Sequence, residues 1–98
     1  MTVAEQMAAA NQYAELWSAL MPHAAAPGMD QFIFWAGRYD DELVNRGINR
    51  AAGKLRKMRD TQQPMTLNDA VKYASSVMKN ESLGIRQHTP QQTSATAH

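Results

Sequence analysis

The chain contains no cysteine, which excludes disulfide bonds and thiolate metal ligands. It also lacks an uninterrupted apolar run of the ~18 residues that a membrane-spanning helix requires. The first residues do not show the basic start, apolar segment and small-residue cleavage site of a secretory signal peptide. We therefore expect a soluble, cytoplasmic protein that does not contact a membrane.

Residue groupings typical of catalysis or metal binding are missing as well. His23 is the only histidine outside the C-terminal tail, and no second histidine or glutamate has the spacing of a helical metal site. Neither a glycine-rich nucleotide loop nor a nucleophile elbow is present. Asp40, Asp41 and Glu42 form a carboxylate cluster that either caps the next helix or provides paired acids for catalysis. Because capping explains all three acids, we expect a non-enzymatic protein with no metal and no cofactor.

Acidic residues are absent from one long segment, although the net charge of the whole chain is only +1. Residues 1–45 hold six acids and one base, whereas residues 46–98 hold nine bases and three acids. Six of those bases fall within residues 46–59, where there is no acid. Residues 40–59, written as a helix, place one row of bases along about three turns, or ~16 Å, of the outer face. The row comprises Arg46, Arg50, Lys54 and Lys57, and Arg56 and Arg59 flank it. The other face is an apolar stripe that we expect to be buried, with Val44, Ile48, Ala51, Leu55 and Met58.

Apolar residues at helical spacing predict four helices in a chain of 98 residues, which is long enough for one modest core. The predicted helices span residues 2–21, 29–39 and 40–59, and the fourth starts after Thr66. Thr2 with Glu5, and Thr66 with Asp69, have the spacing of a capping box. The fourth helix is expected to fade near Asn80 or Glu81, with Gly84 as its stop.

These elements predict an all-α fold, a small four-helix orthogonal bundle over residues 1–86, and no β-strand. Residues 87–98 are rich in Gln, Thr and Ser without an apolar period, so we expect a disordered tail. Gly47 is expected on the buried face, where it allows close approach of the second helix. Gly53 lies among the bases, where a missing side chain would let a phosphate backbone come near, unless it is simply a tolerated surface glycine.

Aromatic residues make up only 7% of the chain. The chain has two phenylalanines and two tryptophans, and three of these four residues lie in the second helix. We interpret Phe32 and Trp35 as the centre of the core. The alternative is a platform on which bases stack, as in proteins that bind single strands.

The central part of the chain also carries a pattern of residues that resembles a known family. The pattern consists of Phe34-Trp35, Asp41-Glu42-Leu43-Val44, Gly47-Ile48, Ala51-Ala52, Lys72-Tyr73, Val77-Met78-Lys79-Asn80 and Gly84-Ile85. Over about residues 29–85 it is similar to the small helical domain of DnaD-like replication proteins of Gram-positive primosomes and phages. The resemblance implies DNA binding, with Tyr73 and Lys79 in the matching terminal motif, and contact with a replicative helicase or its loader. Glu81 stands where that family has tryptophan.

The basic row is suited to phosphate binding, because lysine and arginine at helical spacing neutralise a nucleic-acid backbone without recognising bases. We therefore expect weak, non-specific DNA binding, and the resemblance implies an accessory protein of phage or plasmid replication type. Two alternatives remain open. In the first, the chain is a protein-binding adaptor or inhibitor: the basic row docks on an acidic partner surface, and Trp17 or Trp35 anchors the contact. Alternatively, the apolar stripe of the first helix forms a homo-oligomer, although we expect it to pack on the other helices of its own chain. That stripe consists of Val3, Met7, Ala10, Ala14, Trp17 and Met21.

Overall fold

The structure is a computed structural model that describes the backbone of residues 1–96 and the side chains of residues 1–84. It contains four helices: α1 (Val3–Leu20), α2 (Met29–Arg38), α3 (Asp41–Asp60) and α4 (Leu67–Thr96). No strand occurs within residues 1–96, so the predicted all-α fold is confirmed. None of the described helices is long and apolar enough to cross a membrane.

Both predicted capping boxes are present. The Thr2 hydroxyl accepts a hydrogen bond from the Glu5 amide at 3.1 Å, and the Glu5 carboxylate accepts one from the Thr2 amide at 2.8 Å. The bonds that Thr2 provides lower the pKa of the Glu5 carboxyl. Thr66 and Asp69 make the same reciprocal pair at 3.1 and 3.2 Å at the start of α4. These caps satisfy amides that the first turn of a helix leaves without partners.

Asp40 occupies the N-cap position of α3, as predicted, but its side chain makes no capping hydrogen bond. Asp41 and Glu42 lie in the first turn of α3, where a negative charge is favourable near the positive end of the helix dipole. Asp41 also accepts a hydrogen bond of 2.8 Å from the hydroxyl of Tyr13 in α1. Asp41 and Glu42 therefore have structural roles, whereas the expectation that the Asp40 side chain caps the helix is wrong.

Three aromatic side chains form the centre of the core. Ring centroids of Trp17, Phe32 and Trp35 lie 5.8 to 6.3 Å apart, and all three side chains are at most 1% exposed. The Trp17 indole donates to the carbonyl of Ala25, and the Trp35 indole donates to the hydroxyl of Ser75, each at 3.1 Å. The core interpretation of this segment is confirmed. Because the rings are buried against one another, they offer no surface on which bases stack.

The apolar stripe of α1 is only partly covered by the rest of the chain. Ala10, Tyr13 and Trp17 are buried, but Val3 is 77% exposed and Met7 is 42% exposed. The expectation that this stripe packs on the other helices of its own chain holds for Ala10 and Trp17 but is wrong for the first two turns. Helical periodicity identifies an apolar face but does not show how far the neighbouring helices extend along it.

The helix α3 packs against α4 and α1. Of the residues that the periodicity predicts on its buried stripe, Val44, Ile48 and Ala51 are buried, whereas Leu55 and Met58 are half-buried. The buried face of α3 includes Leu43, Val44, Gly47, Ile48, Ala51 and Ala52. A Cβ atom at Gly47 would lie 2.8 Å from Met78 and 2.9 Å from the backbone oxygen of Ala74. The sequence predicts close approach of the second helix at Gly47, but the helix that approaches there is α4.

The end of α4 differs from its prediction. The sequence predicts a stop near Gly84, whereas the helix continues to Thr96. An internal glycine costs about 1 kcal/mol relative to alanine but still donates and accepts backbone hydrogen bonds, so it does not by itself end a helix. The sequence predicts that residues 87–98 are disordered. The side chains of these residues lie outside the described part of the chain, so their disorder stays a prediction. The orthogonal arrangement of the helices also stays a prediction.

Candidate nucleic-acid interface

The geometry of α3 distributes its six bases over separate surfaces. At 100° per residue, Arg50, Lys54 and Lys57 lie within about 60° of one another, on the side of the helix that meets α4. Arg56 lies about 200° around the helix from Lys54 and therefore faces away from that side. The buried face of α3 separates the two groups.

Arg46, the first member of the predicted row, is engaged by two carboxylates. Its guanidinium lies 3.0 Å from Glu42 in the preceding turn and 2.7 Å from Glu81 in α4. The hydrogen bond and charge of Glu81, followed by the charge of Glu42, raise the pKa of Arg46. Two acids surround one base, so this end of the row is not positive. Glu81 is the residue that binds Arg46 across the helix pair.

The next three bases of the row line one open groove between α3 and α4, which we call the basic groove. Its volume is about 380 Å³, and its lining consists of Arg50, Gly53, Lys54, Lys57, Met58 and Tyr73. The ammonium of Lys54 lies 4.7 Å from the centroid of the Tyr73 ring, within cation–π distance. Tyr73 thus forms one wall of the groove and holds Lys54 beside it.

The cations of the basic groove have no carboxylate partner in the described part of the chain. The ion pairs found among residues 1–84 both involve Arg46, and Arg50, Lys54 and Lys57 are exposed. Gly53 adds open space, because a Cβ atom placed there would meet nothing within 4 Å. The groove is therefore a positively charged surface onto which an anionic chain can approach closely.

Arg56 and Arg59 line a different surface, which we call the loop cavity. This cavity of about 350 Å³ lies between α3, the end of α1 and the loops that follow α1 and α3. Its lining consists of Leu20, Met21, Pro22, His23, Ala24, Leu55, Arg56, Arg59, Pro64 and Met65. The sequence groups these two arginines with the basic row, but the structure separates them from it.

Lys79 lies apart from both surfaces. It lines a small cavity of about 50 Å³ with Arg38, Tyr39, Ser82 and Leu83. The Arg38 guanidinium lies 5.8 Å from the centroid of the neighbouring Tyr39 ring. Of the two residues named through the family resemblance, Tyr73 therefore joins the basic groove, whereas Lys79 lies beside Arg38.

Sequence reasoning missed two features of the basic groove. Met58 was assigned to the buried stripe, but it is half-buried and forms part of the groove lining. The position of Tyr73 beside Lys54 could not be derived from periodicity, because it depends on how α4 lies against α3. The angle of Arg56 and Arg59 around α3, in contrast, was available from the sequence.

No cluster of three or more metal-binding side chains occurs among the described residues. His23, the histidine considered above, is exposed and lines the loop cavity.

Comparisons with known proteins do not extend this picture. No protein-family model, curated protein or solved structure matches the chain.

Proposed function

We propose that the chain is a non-enzymatic, DNA-associated accessory protein that binds nucleic acid weakly through the basic groove. The observation that supports this proposal is the set of three exposed cations in one groove whose lining contains no acid. Lysine and arginine side chains neutralise phosphates and release condensed counterions, which gives affinity without base recognition.

The arrangement of the groove suits a phosphate backbone. Arg50 and Lys57 lie two turns apart, about 10 Å along the helix axis, with Lys54 between them. Gly53 leaves open space beside these cations, so a sugar–phosphate chain meets no side chain at that position. Three cations provide only a few phosphate contacts, so we expect weak binding that is independent of sequence.

The resemblance to DnaD-like proteins supports a role in phage or plasmid replication within this proposal. Contact with a replicative helicase or its loader belongs to the same proposal and rests on the same resemblance. The basic groove supports DNA binding independently of the resemblance, because its three cations and its lining without acids are features of this chain.

The test is a matched pair of charge-reversed variants on α3. The double variant Arg50→Glu, Lys57→Glu changes the basic groove, and Arg56→Glu, Arg59→Glu makes the same change in net charge away from it. We expect the first variant to lose at least tenfold in affinity for a labelled DNA duplex, and the second to lose much less. Fluorescence anisotropy at fixed ionic strength measures both affinities.

Equal losses in the two variants would show that net charge, and not the basic groove, determines binding. Unchanged affinity in the groove variant would reject the proposed site. Circular dichroism of each variant verifies that the helices are retained. We expect them to be retained, because all four substituted side chains are exposed.

A second candidate is a protein-binding adaptor or inhibitor that docks on an acidic partner. Trp17 and Trp35 are fully buried and do not anchor such a contact, but Phe34 is 57% exposed. An exposed phenylalanine is a common anchor at protein interfaces. This candidate is tested by capturing a partner with the tagged chain. The partner should remain after nuclease treatment and should be lost from the Phe34→Ser variant. Binding to purified DNA should not depend on Phe34.

A further inference from the structure

The loop cavity is separate from the basic groove and has the composition of a small-molecule site. Leu20 and Met21 come from the end of α1, Leu55 comes from α3, and Pro64 and Met65 come from the loop before α4. Ligand sites in proteins are concave and mostly apolar, and a few polar groups fix the orientation of the ligand. The volume of about 350 Å³ is near the lower end of the range for such sites.

The polar side chains of the loop cavity all belong to basic residues. They are the guanidiniums of Arg56 and Arg59 and the imidazole of His23, and none of the lining residues is acidic. Neither arginine forms an ion pair with a carboxylate within residues 1–84. Guanidinium groups donate paired hydrogen bonds to an oxyanion, so their natural counterpart is a carboxylate or phosphate head.

We propose that the loop cavity binds a small amphipathic organic anion. An apolar body lies against the leucine and methionine side chains, and an oxyanion head pairs with Arg56 and Arg59. At ~30 Å³ for each water-sized group, the cavity holds about a dozen such groups, which is the size of a medium-chain fatty acid. This proposal does not depend on DNA binding, because it uses no residue of the basic groove.

Methionine methyl resonances provide a specific readout for this proposal. Met21 and Met65 line the loop cavity, Met58 lines the basic groove, and Met7 and Met29 are exposed elsewhere. We expect titration with decanoate, below its micelle-forming concentration, to shift the Met21 and Met65 methyl signals and to leave the others nearly unchanged. Decyl phosphate is the second ligand, and its affinity relative to decanoate identifies which oxyanion head the arginines prefer.

The head group is tested with decyltrimethylammonium, which has the same apolar chain and the opposite charge. We expect it to bind at least tenfold more weakly than decanoate. The double variant Arg56→Gln, Arg59→Gln should weaken decanoate binding about tenfold, as expected for the loss of hydrogen bonds to a charged group. The matched variant Arg50→Gln, Lys57→Gln should retain the affinity for decanoate.

Three results would overturn the proposal: no shift of Met21 and Met65 with either anion, equal binding of the cationic analogue, or comparable shifts at Met7 and Met29. An unchanged Met78 signal shows that the variants keep the core, because Met78 is fully buried.

Discussion

Gly47 lies on the buried face of α3, against Met78 and Ala74 of α4, where there is no room for a side chain. Alanine has the higher helix propensity by about 1 kcal/mol, which taken alone favours the substitution Gly47→Ala. The new methyl group would, however, lie 2.9 Å from a backbone oxygen, and forcing extra atoms into a packed site costs about 1–3 kcal/mol. We expect Gly47→Ala to lower the free energy of unfolding, as measured by urea denaturation.

Gly53 is the matched control, since a methyl group there meets nothing within 4 Å. Without a steric penalty, Gly53→Ala should raise the free energy of unfolding by about 0.5–1 kcal/mol. If both substitutions stabilised the chain, the close approach of α3 and α4 at Gly47 would be incorrect.

Tyr13 joins α1 to the start of α3 through its hydrogen bond to Asp41. Burial, followed by the hydrogen bond and charge of Asp41, raises the pKa of its phenol well above the usual value. The folded state therefore holds this proton more tightly than the unfolded chain, where the pKa is about 10. The stability that Tyr13 contributes is fully present below about pH 10 and is lost as the pH rises above it.

We expect Tyr13→Phe to lower the free energy of unfolding by about 0.5–1.5 kcal/mol at neutral pH. The difference between the natural chain and this variant should stay constant up to about pH 9 and shrink above about pH 10, because phenylalanine has no proton to release. Chemical denaturation at several pH values measures this difference. A difference that grows with pH would contradict the assigned hydrogen bond.

At the scale of the helices, Glu81 links α4 to α3 by binding Arg46. We expect Glu81→Gln to leave Arg46 with only the exposed Glu42 as a carboxylate partner, and so to make this end of the row more positive. DNA affinity should rise, and the dependence of log affinity on log salt should steepen by up to about 0.9, the value for one additional phosphate contact. The effect on stability should be within about 1 kcal/mol, because the ion pair is partly exposed.

Glu42→Gln is the control for that substitution. Glu42 is 82% exposed and shares Arg46 with Glu81, so its removal leaves the bond across the helix pair intact. A smaller change in DNA affinity is expected for Glu42→Gln, and an equal change would show that only net charge matters.

The helices were predictable from the sequence because their signals are local. Thr2 with Glu5 and Thr66 with Asp69 specify helix starts through contacts only three residues apart. Apolar spacing likewise predicted the burial of Val44, Ile48 and Ala51 on α3. The extent of α4 beyond Gly84 was not predicted, since a glycine signals a possible stop without enforcing one.

The candidate site was only partly predictable, because it depends on packing between helices. Lysine and arginine spacing located the cations of α3, but Glu81 removes Arg46 from the row through a contact 35 residues away. Tyr73 joins Lys54 for a similar reason, since the two meet only when α4 lies against α3. Local spacing contains no information about such partners.

At the scale of the whole molecule, Val3 and Met7 leave the first two turns of α1 uncovered by the described part of the chain. Self-association through this helix remains a prediction, and it is tested by whether the molecular mass in solution rises with protein concentration. A mass that stays constant would leave the basic groove unaffected, because no residue of α1 lines that groove.

The central claim is that the basic groove binds a polyanion through its three cations. The most direct measurement is the affinity for a DNA duplex across about 50 to 200 mM salt. With three phosphates neutralised, log affinity should fall against log salt with a slope of about −2.7, and the Arg50→Glu, Lys57→Glu variant should show a slope close to zero. A slope near zero for the natural chain, or an unchanged slope in the variant, would contradict the account.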